Sequence, residues 1–90
     1  MAVTQEQYKK ILNGEIESWS LMCNSRGDCP HTNIHYTEYF VDQSEAEKAF
    51  YKLRNKYILS ANRVIENDDV PFTLVTNEVI LSLIYTDRLV

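Results

Sequence analysis

Val79-Ile80-Leu81-Ser82-Leu83-Ile84-Tyr85-Thr86 is the stretch on which the fold of this chain turns. It is nearly continuous in apolar residues, and either a helix or a strand fits it. Read as a helix, it takes Thr76 as N-cap and lays Val79, Ile80, Leu83 and Ile84 along one face. Read as a strand, it is buried on both sides and belongs in the middle of a sheet. Val79, Ile80 and Ile84 are β-branched and Tyr85 is aromatic. Such side chains lose rotamer freedom against a helical turn and pack well on a pleated surface. The strand is therefore the expected element.

Outward from this run, Phe72 to Val75 reads as a second strand, joined to it through Thr76-Asn77-Glu78 as a hairpin that lacks the glycine of the best two-residue turns. Asn67-Asp68-Asp69 marks a loop before it. Upstream lies a long helix opened by Asp42-Gln43-Ser44, with Ser44 and Glu47 at capping-box spacing and acids in the first turn, where the helix dipole favours them. Its core face reads Ala46, Ala49, Phe50, Leu53 and Tyr57. The end is expected near Leu59, although Ala61 and Val64 would fit a longer helix. Further upstream, two segments alternate as strands. In the segment from Glu15 to Met22, Ile16, Ser18, Ser20 and Met22 oppose Glu17, Trp19, Leu21 and Cys23, with Trp19 and Leu21 turned to the core. In Asn33 to Val41, Ile34, Tyr36, Glu38 and Phe40 oppose His35, Thr37, Tyr39 and Val41. Asn24-Ser25-Arg26-Gly27-Asp28 is a turn by composition, so the two strands form a hairpin. At the start, Thr4 and Gln7 form a capping box, Val3 can staple onto Tyr8, and Asn13-Gly14 closes a short helix whose buried stripe is Tyr8, Ile11 and Leu12. The expected architecture is α+β: one small domain over residues 1–90, in the order α-β-β-α-β-β, with an antiparallel sheet packed on one long helix.

The 90 residues suffice for one core, and a chain of this size buries only about 60% of the surface its unfolded form exposes. A hydrophobic content of 44% with two Gly and two Pro excludes a disordered tail. With a net charge of −4, free nucleic acid is a disfavoured general partner, because phosphate neutralisation needs a basic face. Met-Ala-Val-Thr-Gln-Glu-Gln has neither the basic start nor the apolar run of a signal peptide, and no apolar stretch is long enough to span a bilayer. A cytoplasmic location, reduced thiols at Cys23 and Cys29, and no membrane partner are the expectations.

Cys23, Cys29, His31 and His35 gather every Cys and His of the chain, and zinc favours such ligands. Their C-x5-C-x-H-x3-H spacing matches no common ligand pattern. On one extended strand His31 and His35 would stand about 13 Å apart, too far to share an ion. A zinc-stabilised structural subunit remains an alternative, and no metal or other cofactor is expected. Arg26-Gly27-Asp28 is the tripeptide that integrins read on extracellular loops. Without a secretion signal it is better explained as turn chemistry. A nucleophile-base pair from Cys29 with His31 or Cys23 with His35 lacks a third orienting group. The carboxylates are scattered, and Gly14 and Gly27 make no phosphate-cradling loop. No enzymatic activity is expected.

What remains is surface. Lys48, Lys52 and Lys56 recur every four residues as a basic stripe, with Arg63 near its prolongation. The stripe suits either a solvated helix end or a phosphate-binding face, so a nucleic-acid-binding regulator is a second alternative. On a helical wheel Tyr51 falls opposite the core face among Glu47, Lys48, Lys52 and Asn55, which makes it a candidate interface anchor, extended by Tyr36 and Tyr39. In character, a small acidic α+β domain without motifs resembles the inhibitors that bacteriophages deploy against host nucleases and defence systems, anti-CRISPR proteins among them; the resemblance rests on no diagnostic motif. It implies a non-enzymatic module that binds a protein, a larger complex with a basic surface, and occludes it. Glu45, Glu47, Asp68 and Asp69 would steer association and the three tyrosines would supply affinity. A homodimer is possible through the apolar final strand, should it lie at a sheet edge.

Overall fold

The computed structural model of the chain describes residues 3–26 and 34–88. Seven elements follow one another: α1 (Gln5–Leu12), β1 (Ser18–Ser25), β2 (His35–Phe40), α2 (Gln43–Ser60), β3 (Val64–Asp68), β4 (Thr73–Thr76) and β5 (Val79–Thr86). The five strands form one antiparallel sheet in the order β2-β1-β5-β4-β3, and α2 packs across one face. The α+β reading is therefore correct, with one strand more than the sequence suggested.

The deciding run is a strand at the centre of the sheet. β5 pairs with β1 on one side, from Ser18↔Thr86 to Ser25↔Val79, and with β4 on the other. Alternation is preserved inside the apolar run: Val79, Leu81 and Leu83 are buried beneath α2, while Ile80 and Ile84, 43% and 48% exposed, face away. Because both edges of β5 are occupied, a dimer through pairing of this strand is closed off. The Thr76 side chain behaves much as the helix reading supposed, since Oγ1 accepts the amides of Glu78 (3.1 Å) and Val79 (3.0 Å). It does so in the turn of a hairpin, whose strands supply the remaining backbone partners.

The core follows from the same alternation. Leu21 and Cys23 of β1, Phe40 of β2, Leu74 of β4 and the three β5 residues meet Ala46 and Phe50 of α2, and Trp19, Ala49, Leu53, Tyr57 and Ile58 pack around them. α2 ends at Ser60, close to the expected place. Its cap is Asp42 in place of the expected Ser44: the Asp42 carboxylate accepts the Ser44 amide at 3.2 Å, and Glu47 is engaged by Gln43 Nε2 at 3.1 Å.

Three further expectations are corrected. Val64–Asp68, where the sequence marks a loop at Asn67-Asp68-Asp69 and no strand, is the edge strand β3; all five of its residues are exposed, so no buried alternation marks it in the sequence. The stripe on α1 is not buried: Tyr8 is 40% and Leu12 61% exposed, because the helix is short and meets the sheet only at its rim, where the Tyr8 ring stands edge-on to Tyr39 at 5.4 Å. The α1 boundaries hold nonetheless. Thr4 and Gln7 complete the capping box, and Gly14 at φ 72° lets its own amide reach Ile11 O while Glu15 reaches Lys10 O. The third correction concerns Tyr51 and belongs to the site.

Candidate functional site

The strand register places Trp19 of β1 directly beside Tyr85 of β5, on the face that α2 covers but just beyond the helix N-terminus. Their rings lie 4.9 Å apart at 47°. Glu17, two residues before Trp19 and on the same face, accepts a hydrogen bond from the Tyr85 hydroxyl at 2.9 Å. Pro71 and Phe72 close the opposite wall from the corner between β3 and β4, Gln43 at the start of α2 forms the third side, and Leu83 the floor. Together they enclose an open, aromatic-walled cleft of about 480 Å³.

Phe72 reaches this wall at a cost. Its φ of 50° is a left-handed conformation disfavoured for a bulky side chain. The ring is held between Phe50 (5.6 Å) and Tyr51 (6.2 Å), and the Phe72 carbonyl accepts the Leu83 amide at 3.1 Å. The Tyr85 phenol is pushed up to about 12, first by its hydrogen bond to Glu17, then by partial burial and by the charges of Asp87 and Glu17. Two carboxylates thus bear on one hydroxyl at the mouth of the cleft. Among the described residues no Lys or Arg forms an ion pair with Glu17.

The residues selected from the sequence fall in separate places, with Glu47 held by Gln43 at the start of α2. Tyr36 lies on the α2 side of the edge strand β2 and donates to Glu38 Oε1 at 2.8 Å; burial, followed by Glu38, raises it to about 12. Glu45 lies nearby, in a shallow groove with Glu38, Phe40, Lys48 and Lys52. Tyr39 points to the opposite face, beneath Tyr8. Asp68 and Asp69 end β3 at the far edge of the sheet, where Asp69 pairs with Arg54 at 2.9 Å. Tyr51 is not the exposed residue the helical wheel indicates. It is half-buried between Phe50 and Phe72 with the Arg54 guanidinium 5.4 Å from its ring centre, because the β3–β4 corner wraps the flank of α2 that a lone helix would leave open.

The lysine stripe is interleaved with acids and aromatics: Lys48 and Lys52 share their groove with Glu38 and Glu45, and Lys56 lies 5.5 Å from the Tyr57 ring centre. Of the Cys/His cluster, Cys29 and His31 lie outside the described residues, as does most of the Arg26-Gly27-Asp28 turn. Cys23 and His35 occupy opposite faces of the sheet. Cys23 is buried under α2 beside Tyr57, while His35 is exposed with Nδ1 3.3 Å from Asn24 Oδ1. Burial pushes the Cys23 thiol up, which the Tyr57 hydroxyl and Lys56 only partly offset. A thiol so held is protonated, the reverse of an activated nucleophile.

No protein-family model, curated protein or solved structure matches this chain. The site is therefore read from its own chemistry. Trp19 and Glu17 were visible in the sequence as neighbours on the core face, and a glutamate on a core face is itself the signal that the face runs out into solvent there. Phe72 carried no such signal, since its place on the wall depends on the turn conformation.

Proposed function

We propose that this protein works without catalysis, by binding another protein that presents a basic surface. The observation that carries this reading is the cleft at the end of the sheet, in which the exposed Tyr85 and the half-buried Trp19 and Phe72 stand beside the Glu17 carboxylate, which no Lys or Arg among the described residues pairs. Aromatic residues in a concave, partly desolvated position are the usual anchors of protein interfaces, and carboxylates at the rim steer an oppositely charged partner toward them. The protonated thiol of Cys23 and the separation of Cys23 from His35 support a non-catalytic role. The domain would act by occluding a nucleic-acid-binding or effector site on a larger complex, in the manner of the phage inhibitors it resembles in character, and in the cytoplasm. No helix among the described residues is long and apolar enough to cross a membrane, which is compatible with that setting. Glu45, Glu47, Asp68 and Asp69 belong to this reading as steering charges around the domain.

The test begins with affinity capture from the native source and identification of the protein retained. Its association rate is then compared between wild type and the charge-reversed variant Glu45→Lys/Glu47→Lys/Asp68→Lys/Asp69→Lys at low salt. A fall in on-rate of tenfold or more, shrinking as salt is raised, is the expected result. An unchanged on-rate, or retention of nucleic acid in place of protein, overturns the reading.

A further inference from the structure

We propose that the cleft between Trp19, Tyr85 and Phe72 is a receptor for one arginine side chain of the partner. The inference rests on the reading of a basic protein partner and narrows it to one pocket and one residue type. Three observations converge. The walls are aromatic, and guanidinium groups stack on such rings through both cation–π attraction and their weak hydration. The mouth carries a carboxylate: Glu17 lines the cleft and accepts the Tyr85 hydroxyl on Oε2, which among the described residues leaves its other oxygen for a ligand, and Asp87 follows two residues after Tyr85. The planar fork of arginine is the group that satisfies two carboxyl oxygens and an aromatic face together, whereas an ammonium is a strongly hydrated point charge. Finally, the α2 N-terminus beside Gln43, whose partial positive charge would oppose a cation, is capped by the Asp42 carboxylate on the Ser44 amide.

The volume suits the assignment. About 480 Å³ is at the small end of ligand pockets, enough for a side chain and too little for a folded segment. The floor and walls are supplied by strands β1 and β5 and by the pinned Phe72, so the receptor exists before the ligand arrives and little ordering cost attends binding.

Trp19 is the sole tryptophan of the chain, so its emission reports on this cleft alone. The experiment titrates the full chain with acetyl-Gly-Arg-Gly-amide and follows Trp19 fluorescence together with amide and indole NMR shifts. The same peptides with citrulline and with lysine in place of arginine are the controls. Saturable binding in the millimolar range is expected, with shifts centred on Trp19, Gln43 and Tyr85. Citrulline, which has the shape without the charge, should bind at least tenfold more weakly, and lysine several-fold more weakly. Glu17→Gln with Asp87→Asn, both exposed positions that leave the core untouched, should abolish the preference for arginine over citrulline. Equal affinity for arginine and citrulline, equal affinity for arginine and lysine, shifts centred elsewhere, or no saturation each overturns the assignment. A negative result here with the charge-reversed variant still slow to bind its partner removes the arginine receptor alone; an unchanged on-rate removes the basic-partner reading itself.

Discussion

Phe72 shows how a single residue is held against its own preference. A left-handed conformation costs a residue with a Cβ roughly 1–2 kcal/mol, and Phe72 adopts φ 50° because its ring fills the space between Phe50 and Tyr51. Its carbonyl also completes the ladder to Leu83. The two contributions can be separated by substitution. Phe72→Ala and Phe72→Gly both lose the ring, but only glycine is free of the backbone penalty. Phe72→Gly should therefore be the more stable variant by about 1 kcal/mol, read from urea unfolding midpoints. Should alanine prove equal or better, the ring alone determines this corner and the backbone carries no strain.

At the scale of elements, the hairpin at Thr76 shows which parts of the fold are legible in the sequence. Thr76 was the cap of the rejected helix, and its hydroxyl does accept two successive amides. What local chemistry could not say is that these amides open a strand; the β-branched content of Val79 to Thr86 said that. Since Thr76 is 1% exposed, Thr76→Val leaves the Glu78 and Val79 amides without their acceptor inside the protein. The expected loss is roughly 1–3 kcal/mol, while Thr76→Ser, which keeps the oxygen, should recover most of it. Equal stability of the Val and Ser variants would show that water replaces the hydroxyl. The same contrast explains the rest. β1, β2, α2 and β5 were readable because each buries one face and so carries a period. β3 buries nothing and is a strand only by pairing with β4, which no local pattern reports. Tyr51 was misplaced for a related reason: its neighbour Phe72 arrives from a turn distant in the chain, so the wheel of α2 alone could not show that flank covered. The cleft was half legible, Glu17 and Trp19 from alternation, Phe72 and Tyr85 only once the register was fixed.

At the scale of the whole molecule, three phenols tie stability to pH: Tyr57, raised by burial and by Cys23 beside it, and two that reach further. Tyr36 and Tyr85, on different strands, are both raised from the ordinary 10.0 to about 12, Tyr36 chiefly by burial and Tyr85 chiefly by its hydrogen bond to Glu17. A phenol that holds its proton more tightly when folded leaves stability unaffected below the unfolded value. Above it the unfolded chain ionises first, so stability falls as pH rises from about 10 and goes on falling until the folded phenol itself ionises near 12. The Tyr57 phenol and the Cys23 thiol are raised as well, so the effect is isolated by difference. Tyr36→Phe/Tyr85→Phe removes both phenols while keeping the rings, and its unfolding midpoint in urea should decline less steeply than that of wild type across this alkaline range. Parallel curves would mean that neither phenol is held. The binding site adds a second, independent readout. Ionised Tyr85 can no longer donate to Glu17, and the two negative charges must separate. Trp19 emission should therefore change near the pH at which Tyr85 titrates in wild type and remain flat in Tyr85→Phe, which distinguishes loss of the mouth of the cleft from loss of the fold around it.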